Sequence, residues 1–361
     1  PLIDIVVEVI GGVKPAKEFI LSALKRGKHV VTSNKEVMAK HGPEFFAEAQ
    51  KHGVNVLYEG SVGGGIPIIH ALKKCLAANV ITELYGIVNG TTNYILTKMA
   101  QDKRSFADVL AEAQKLGYAE ADPTNDVDGY DAAYKLSILA YTAFHHYVPY
   151  NKIPFEGIRN VSARDIELAE EFGYVIKLLA MGRQTKKHLE LRVAPMMIPK
   201  SHPLASVHDA FNAIYVVGDA VGETMFYGRG AGEMPTASAV VGDVIDLALH
   251  EGMEKSEPLI ELSNKKVLPG GDSRSQFFLR LLVKDQPGVL AAISTTFGKN
   301  KVSIKVVSQQ ESKGTVTELV IITHAVQEAA FSKAISTISK LSAVKKVESI
   351  LRVGLDENKD K

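Results

Sequence analysis

Apolar and polar positions in the first part of the chain follow two alternating periods. Nearly continuous apolar runs, typical of strands buried on both faces of a sheet, occur at residues 3–10, 28–33 and 54–61. Residues 15–27 and 42–53 instead repeat apolar positions at helical spacing, and each segment ends at a glycine. Strands and helices that alternate in this way predict a parallel, doubly wound α/β sheet.

The pattern changes after Ser61, where strands and helices are mixed. A glycine-rich turn leads into a predicted helix that carries Cys75 at an apolar position, which predicts a buried, unreactive thiol. A strand at 80–90 precedes a helix that Thr91 or Thr92 would cap. Because the chain has one cysteine, it cannot form an internal disulfide, which fits a reducing compartment.

The C-terminal part reads as a separate unit. Residues 251–275 are polar and rich in Gly, Pro, Ser and Lys, so they are predicted to be a linker. Residues 276–353 then follow the order strand, helix, strand, strand, helix, strand. This order is typical of the split βαβ, ferredoxin-like arrangement.

Composition and charge exclude several functions. With 46% apolar and 23% charged residues the chain is an ordinary globular protein, and its net charge of +1 gives no field that would recruit nucleic acid or an acidic membrane. No apolar run reaches the length of a membrane span, and no signal-peptide pattern is present. We therefore expect a cytoplasmic protein with neither nucleic acid nor membrane as partner.

The most acidic stretch is "GYAEADPTNDVDGYDAAYKL", residues 117–136. Aligned as a calcium loop on Gly129, it has Thr124 and Lys135 where that loop needs acids, so calcium is not predicted. Asp131 and Lys135 lie four residues apart on one helical face. Spacing alone favours an ordinary ion pair, while the apolar helix around it allows a buried lysine with acid–base chemistry.

Three loops could approach a ligand, and each has a structural alternative. Lys35 follows a predicted strand, at the edge where doubly wound sheets bind ligands, but it could equally be a solvated lysine after a helix cap. The glycine turns at 59–67 and 228–233 would let backbone approach a ligand or ion, although the second lacks the third glycine of a dinucleotide motif. Gly288 opens a similar strand-to-helix turn, for which an ordinary turn is favoured.

Taken together, these stretches resemble homoserine dehydrogenases. The matching motifs, in the family's order over roughly residues 3–250, are "VVEVIGG", "GKHVVTSNK", "YEGSVGGGIPII", "GIVNGTTNYILTKM", "LGYAEADPTNDVDGYDAAYKL" and "GRGAGEMPTASAVVGD". Residues 277–353 resemble an ACT domain, an amino-acid-sensing module. The family's first strand and G-x-G-x-x-G turn are absent, so the upstream part of its dinucleotide-binding domain is expected to be missing.

The resemblance implies an α/β fold with a partial Rossmann-type domain, an α+β substrate and dimerisation domain and a ferredoxin-like ACT domain. The implied boundaries are 1–58 for the remaining NAD(P)-binding part, with helix 233–250 packed back on it, 59–232 for the catalytic domain, 251–275 for the linker and 276–353 for the regulatory domain.

The resemblance also implies the interconversion of L-homoserine and L-aspartate 4-semialdehyde with NADP or NAD, in threonine, methionine and isoleucine biosynthesis. Lys135 is implied as proton donor to the carbonyl oxygen, and Lys35 as the second lysine, near nicotinamide and substrate. Glu120 and Asp131 would hold the substrate. A lysine with a lowered pKa can donate this proton, and fixed cations stabilise the alkoxide.

The remaining implied sites concern ions, cofactor and effector. Ser33, Lys35 and Gly232 would contact the cofactor. A monovalent cation, usually sodium in the family, is implied at Glu59, Val62, Gly64, Ile66, Gly117 and Glu120, largely through backbone carbonyls. Threonine is the expected effector near the Gly288 turn of a homodimer or homotetramer. An alternative stays open, in which the chain is a non-catalytic, amino-acid-binding regulatory fragment.

Overall fold

The computed structural model describes residues 3–249, 265–309 and 314–355. The strands are β1 Ile5–Glu8, β2 His29–Thr32, β3 Val56–Leu57, β4 Ile81–Ile87, β5 Tyr174–Gln184, β6 His188–Pro199, β7 Phe211–Gly218, β8 Gly222–Arg229, β9 Lys266–Val267, β10 Arg274–Lys284, β11 Ile304–Gln309, β12 Val316–Thr323, β13 Val326–Gln327 and β14 Val344–Val353. The helices are α1 Ala16–Lys25, α2 Lys35–His52, α3 Ile68–His70, α4 Gly90–Asp102, α5 Phe106–Lys115, α6 Thr124–Val127, α7 Tyr130–Phe144, α8 Ala163–Glu171, α9 Glu233–Leu249, α10 Val289–Lys299 and α11 Glu328–Ile338.

The first unit is a parallel sheet in the order β1-β2-β3. Val30 and Val56 point to the face that α1 and α2 cover, and both are buried in the large core. Val31 and Leu57, one residue further along, point to the opposite face and pack against α9. This two-residue period explains the continuous apolar runs, because both faces of the sheet are covered by helices.

The second unit is an antiparallel sheet in the order β6-β5-β4-β7-β8. Leu178 and Ala180 of β5 join the core that also contains α4, α7 and α8, whereas Leu179 and Met181 face a separate cluster on the other side. Helix α7 is buried along nearly its whole length. It therefore carries its polar side chains into the interior of the protein, where each needs a partner.

The third unit has the strand order β11-β12-β10-β14, all antiparallel, with α10 and α11 on one face. This order confirms the predicted ferredoxin-like arrangement. The end of β14 also pairs in parallel with β6, at Arg352 opposite Met196 and Val353 opposite Met197. The sheets of the second and third units are therefore one continuous hydrogen-bonded sheet.

Two buried charge networks reinforce this junction. Arg280 of β10 donates to Asp165 Oδ1 of α8 at 2.8 Å, and both residues are buried. Glu328 of α11 accepts two hydrogen bonds from Arg352, at 2.9 and 3.0 Å, and pairs with Arg192 of β6 at 2.9 Å. The third unit is thus attached to the second by charges as well as by the strand pairing.

Two local predictions were wrong. Cys75 is exposed, because the predicted helix is only the three residues of α3 followed by a π-helical turn, Ala71–Cys75, whose wider spacing places the thiol in solvent. Helix α4 is capped by Asn89, whose Oδ1 accepts the N–H of Thr92 at 2.9 Å, so the predicted caps Thr91 and Thr92 lie inside the helix.

The predicted linker, 251–275, lies mostly outside the described residues, and its described end contains β9, which pairs with β6. Across the ranges that the structure covers, every helix is too short or too polar to cross a lipid bilayer.

Candidate active site

The carboxylate of Asp131 lies between two lysines from different units. Its Oδ2 accepts hydrogen bonds from Lys135 Nζ and Asn89 Nδ2, each at 2.8 Å. Its Oδ1 faces Lys35 Nζ at 2.5 Å, as an ion pair without good hydrogen-bond angles. Burial alone would raise the pKa of Asp131, but the two ammonium groups outweigh it and hold that pKa well below its usual range. Asp131 is therefore an anion that positions both lysines.

Lys135 is the buried member of this cluster. One turn of α7 separates it from Asp131, and its Nζ also donates to the carbonyl of Val88 at 2.6 Å. Burial is the main cause that lowers the pKa of Lys135, and the nearby charge of Lys35 lowers it further, against the opposing effect of Asp131. A buried ammonium whose pKa is lowered gives up its proton more readily than a solvated lysine does.

Lys35 behaves in the opposite way. It begins α2 directly after Asn34, which caps the helix by accepting the N–H of Val37 at 3.1 Å. Its side chain is 45% exposed. Burial lowers the pKa of Lys35, but the carboxylates of Asp131, Asp126 and Glu120 together raise it above the ordinary value. Lys35 therefore stays cationic where Lys135 can lose its proton.

Sequence reasoning missed two members of the cluster. Asn89 Nδ2 bridges Asp131 and Asp126, at 2.8 and 2.7 Å. Asp126 is the second missed member, because its carboxylate accepts a hydrogen bond from Asn89 and belongs to the site, where burial raises its pKa. The asparagine directly before α4 was the available signal, but nothing local shows that its amide reaches residues 37 and 42 positions away.

These groups open onto a cleft of about 770 Å³ between the first and second units. The predicted site residues that line it are Lys35, Gly117, Asp131, Lys135 and Gly232. Ser33 and Glu120 are not among the lining residues; Ser33 packs beside Gly60, and Glu120 is exposed, with its carbonyl accepting from Gln114 Nε2 at 3.0 Å. The cleft thus holds both predicted lysines.

One side of the cleft is built from the carboxyl ends of β1 and β2. Asn34 Nδ2 donates to the carbonyl of Gly12 at 2.7 Å, and Thr32 Oγ1 donates to Glu8 Oε2 at 2.8 Å. These bonds fix the turn that presents Lys35 at the edge where open α/β sheets bind ligands. A nicotinamide entering from this edge would meet the two lysines, so the residues present fit such a cofactor.

The turn implied as a cation site has features that suit a monovalent ion. Glu59 uses both carboxylate oxygens to accept the N–H groups of Ile69 and His70, at 2.9 and 2.6 Å. Among the described residues, no hydrogen bond reaches the carbonyls of Val62 and Gly64, although both residues are buried. Backbone carbonyls left in this way suit an oxygen-liganded cation.

The other residues implied as cation ligands support such a site less well. The carbonyl of Ile66 already accepts the N–H of Ile68 at 2.8 Å, and Gly117 lines the main cleft. Within the described ranges no group of three or more His, Cys, Asp or Glu side chains is placed to hold a metal. Any ion at this turn would therefore depend on backbone oxygens.

Comparison with known proteins gives one consistent result. Three family models match: "Homoserine dehydrogenase" over residues 67–245, "Homoserine dehydrogenase, NAD binding domain" over 1–59 and "ACT domain" over 277–343. The homoserine dehydrogenases of Synechocystis sp. and Bacillus subtilis are 46% and 43% identical, each over 98% of this chain and over 84% and 82% of their own length.

Solved structures agree. The crystal structure of a homoserine dehydrogenase from Thiobacillus denitrificans matches with a TM-score of 0.93 and 44% identity, over 97% of this chain and 82% of that one. A hyperthermophilic archaeal homoserine dehydrogenase in complex with NADPH matches with a TM-score of 0.60 and 31% identity, over 68% and 72% of the two chains.

Proposed function

The chain belongs to the homoserine dehydrogenase family, and from that premise we propose how its cleft carries out the reaction. It is an oxidoreductase that uses a nicotinamide dinucleotide to interconvert L-homoserine and L-aspartate 4-semialdehyde. The observation that carries the proposed mechanism is the contact of one buried carboxylate, Asp131, with two lysines that differ in burial and in the direction of their pKa shifts.

The two lysines have separate roles. The nicotinamide, when bound, supplies or accepts the hydride at the carbonyl carbon. Lys135 donates a proton to the carbonyl oxygen when the semialdehyde is reduced, and takes it back when homoserine is oxidised. Lys35 keeps its charge throughout and stabilises the negative charge that develops on that oxygen. Because Asp131 binds both ammonium groups, it fixes their positions before the substrate arrives.

The acidic residues hold the substrate. Asp131 does so mainly through the lysines, since both of its oxygens already face ammonium groups. Glu120 is exposed and lies three residues after the cleft-lining Gly117, so its carboxylate can bind the ammonium group of the amino-acid substrate. Ser33, Lys35 and Gly232 are proposed as the residues that would contact the cofactor.

A monovalent cation, with sodium expected, is proposed at the turn from Glu59 to Ile66. The free carbonyls of Val62 and Gly64 support it. Gly117 and Glu120, from the family pattern, would complete the site. If this proposal holds, apo protein exchanged into tetramethylammonium buffer should gain thermal stability when sodium chloride is added, beyond the gain from choline chloride at the same ionic strength.

The ferredoxin-like unit is proposed to bind an amino-acid effector, with threonine expected, at a subunit interface of a homodimer or homotetramer. Gly288 supports this, because it begins α10 at φ +89 with nothing within 4 Å of its Cβ position. Gly288→Ala, which is strained at that φ, should weaken threonine binding measured by calorimetry. Gly298→Ala, inside the same helix and equally open, is the matched control.

The proposed domains keep the boundaries implied by the resemblance: 1–58 with helix 233–250, 59–232, 251–275 and 276–353. The activity is tested by following homoserine-dependent reduction of NADP and NAD, together with separate titrations of NADPH and threonine. Turnover with NADPH binding supports the function. Threonine binding without NADPH binding or turnover would favour the regulatory-fragment alternative.

A further inference from the structure

One side chain in the reaction cleft has no hydrogen-bond partner at all. Asn212, on β7, is 1% exposed, and neither its Oδ1 nor its Nδ2 is paired within the described residues. An amide that is taken out of water without partners costs stability, and such groups are rare in folded proteins. When one occurs in an active-site cleft, a partner from outside the chain is expected: a ligand, an ion or an ordered water.

The position of Asn212 places it beside the proton donor. Strands β4 and β7 pair with Ile87 opposite Ala213, so Asn212 stands opposite Val88, whose carbonyl accepts the ammonium of Lys135 at 2.6 Å. Asn212 also lines the same cleft as Lys135. The unpaired amide therefore lies in the same cleft as the reacting groups.

The backbone of Gly230 lies directly against the amide. A Cβ at Gly230 would lie 1.9 Å from Asn212 Nδ2 and 2.6 Å from Oδ1, so any residue larger than glycine would collide with the amide. Gly230 belongs to the turn that ends at Gly232, which is held at φ +124. A ligand can reach the amide only if this turn, which lies against it and also lines the cleft, moves aside.

A nearby asparagine shows what a structural amide looks like in this fold. Asn93 is also 1% exposed, but its Nδ2 donates to the carbonyls of Val207, Asp209 and Phe211, and its Oδ1 accepts from Lys177. Both polar atoms of Asn93, which lies in α4, are paired, whereas neither polar atom of Asn212 has a partner among the described residues. The difference argues against a purely structural role for Asn212.

We propose that Asn212 is a ligand-binding residue of the reaction cleft, whose amide pairs with a group that presents a hydrogen-bond acceptor and donor side by side once the Gly230 turn moves. This inference rests on the proposed function. Two ligands of the reaction carry such a group: the carboxamide of the nicotinamide, and the adjoining ammonium and carboxylate of the amino-acid substrate.

The test compares Asn212→Leu, which keeps the branched shape, and Asn212→Ala with the control Asn93→Leu. Apo melting temperature, NADPH affinity by fluorescence titration and the KM for homoserine are measured for each. Asn212→Leu should melt at or above the wild-type temperature, because it removes an unpaired buried amide, while Asn93→Leu should melt several degrees lower. Both Asn212 variants should weaken one ligand by roughly 5- to 100-fold.

The two candidate ligand groups are distinguished by whether the variants bind NADPH or homoserine more weakly. Weaker NADPH binding in the absence of substrate assigns the carboxamide, and a raised KM for homoserine with unchanged NADPH affinity assigns the amino-acid head group. The proposal is overturned if both variants bind both ligands within twofold of wild type, or if Asn212→Leu destabilises the apo protein as much as Asn93→Leu. An inactive wild-type protein would instead count against the proposed function.

Discussion

Replacing Lys135 by methionine removes the proposed proton donor while keeping most of its volume. The substitution has three effects. Asp131 Oδ2 keeps only its bond from Asn89, and the backbone carbonyl of Val88 loses its bond from Lys135. The substrate's carbonyl oxygen also loses its proton donor. Loss of a general acid typically slows turnover by roughly 100- to 10,000-fold. We therefore expect kcat to fall by that factor, with a much smaller change in the affinity for NADPH.

The stability cost should be modest and can be separated from the kinetic effect. Leaving a buried carbonyl unpaired costs about 1–3 kcal/mol, partly offset because burial already disfavours the charge that is removed. Lys177 offers a matched control: it is 3% exposed, burial lowers its pKa to about 8, and it donates to Val207 and Asn93 without lining the cleft. Lys177→Met should lose comparable stability and keep its turnover.

The assay is homoserine oxidation at saturating cofactor, together with the apo melting temperature of both variants. Stopped-flow single turnovers show whether the slow step in Lys135→Met is the chemical one. The proton-donor role would be refuted if Lys135→Met kept its turnover within about threefold of wild type. It would also be refuted if Lys177→Met lost as much turnover as Lys135→Met, because loss of any buried lysine would then explain the effect.

Three further changes test other parts of the structure. Asp131→Asn should lower the free energy of unfolding by about 3–5 kcal/mol near neutral pH. Because the pKa of Asp131 is depressed in the folded protein, this difference in unfolding free energy between variant and wild type should shrink as the pH falls below about 4. A difference that does not change with pH would contradict the ion-pair explanation. Gly230→Ala should destabilise the protein by roughly 1–3 kcal/mol, because its new methyl group collides with the Asn212 side chain. Most of this loss should disappear in the double variant that also carries Asn212→Ala. Additive losses of unfolding free energy in urea denaturation would show that residues 212 and 230 do not touch. Arg280→Met should cost about 3 kcal/mol and lower the melting temperature, because it leaves buried Asp165 without its cation. The exposed Arg274→Met should change little, and equal effects of the two substitutions would refute the buried network.

Sequence patterns predicted the elements better than the contacts between their polar groups. The strands of the first unit were predictable because both of their faces are buried, and the ferredoxin-like order followed from alternating periods within a short segment. The bridge from Asn89 to Asp126 and Asp131 was not predictable, because it joins a helix cap to residues far along the chain. Hydrophobic periodicity reports which face is buried, and contains no information about which buried polar groups meet.

The site shows the same division. Resemblance implied Lys35, Asp131 and Lys135, and spacing placed the last two on one helical face. The contact of Lys35 with Asp131, in contrast, depends on how two units pack together. Cys75 was misplaced for a related reason: a π-helical turn changes the phase of the helix, and apolar spacing alone cannot reveal that change.

The pairing of β14 with β6 limits how this enzyme could be re-engineered. Sensor domains are often exchanged between proteins as if each were an independent domain, joined to the rest only through a linker. Here the graft must also supply a final strand whose last residues match the register of Met196 and Met197, and an arginine that reaches Glu328. A transplanted module lacking that strand end would leave β6 with an unpaired edge, which invites aggregation. Chimeras should therefore be chosen first by whether the new domain can form the β14–β6 pairing and the Arg352–Glu328 contact, and only then by which ligand that domain binds.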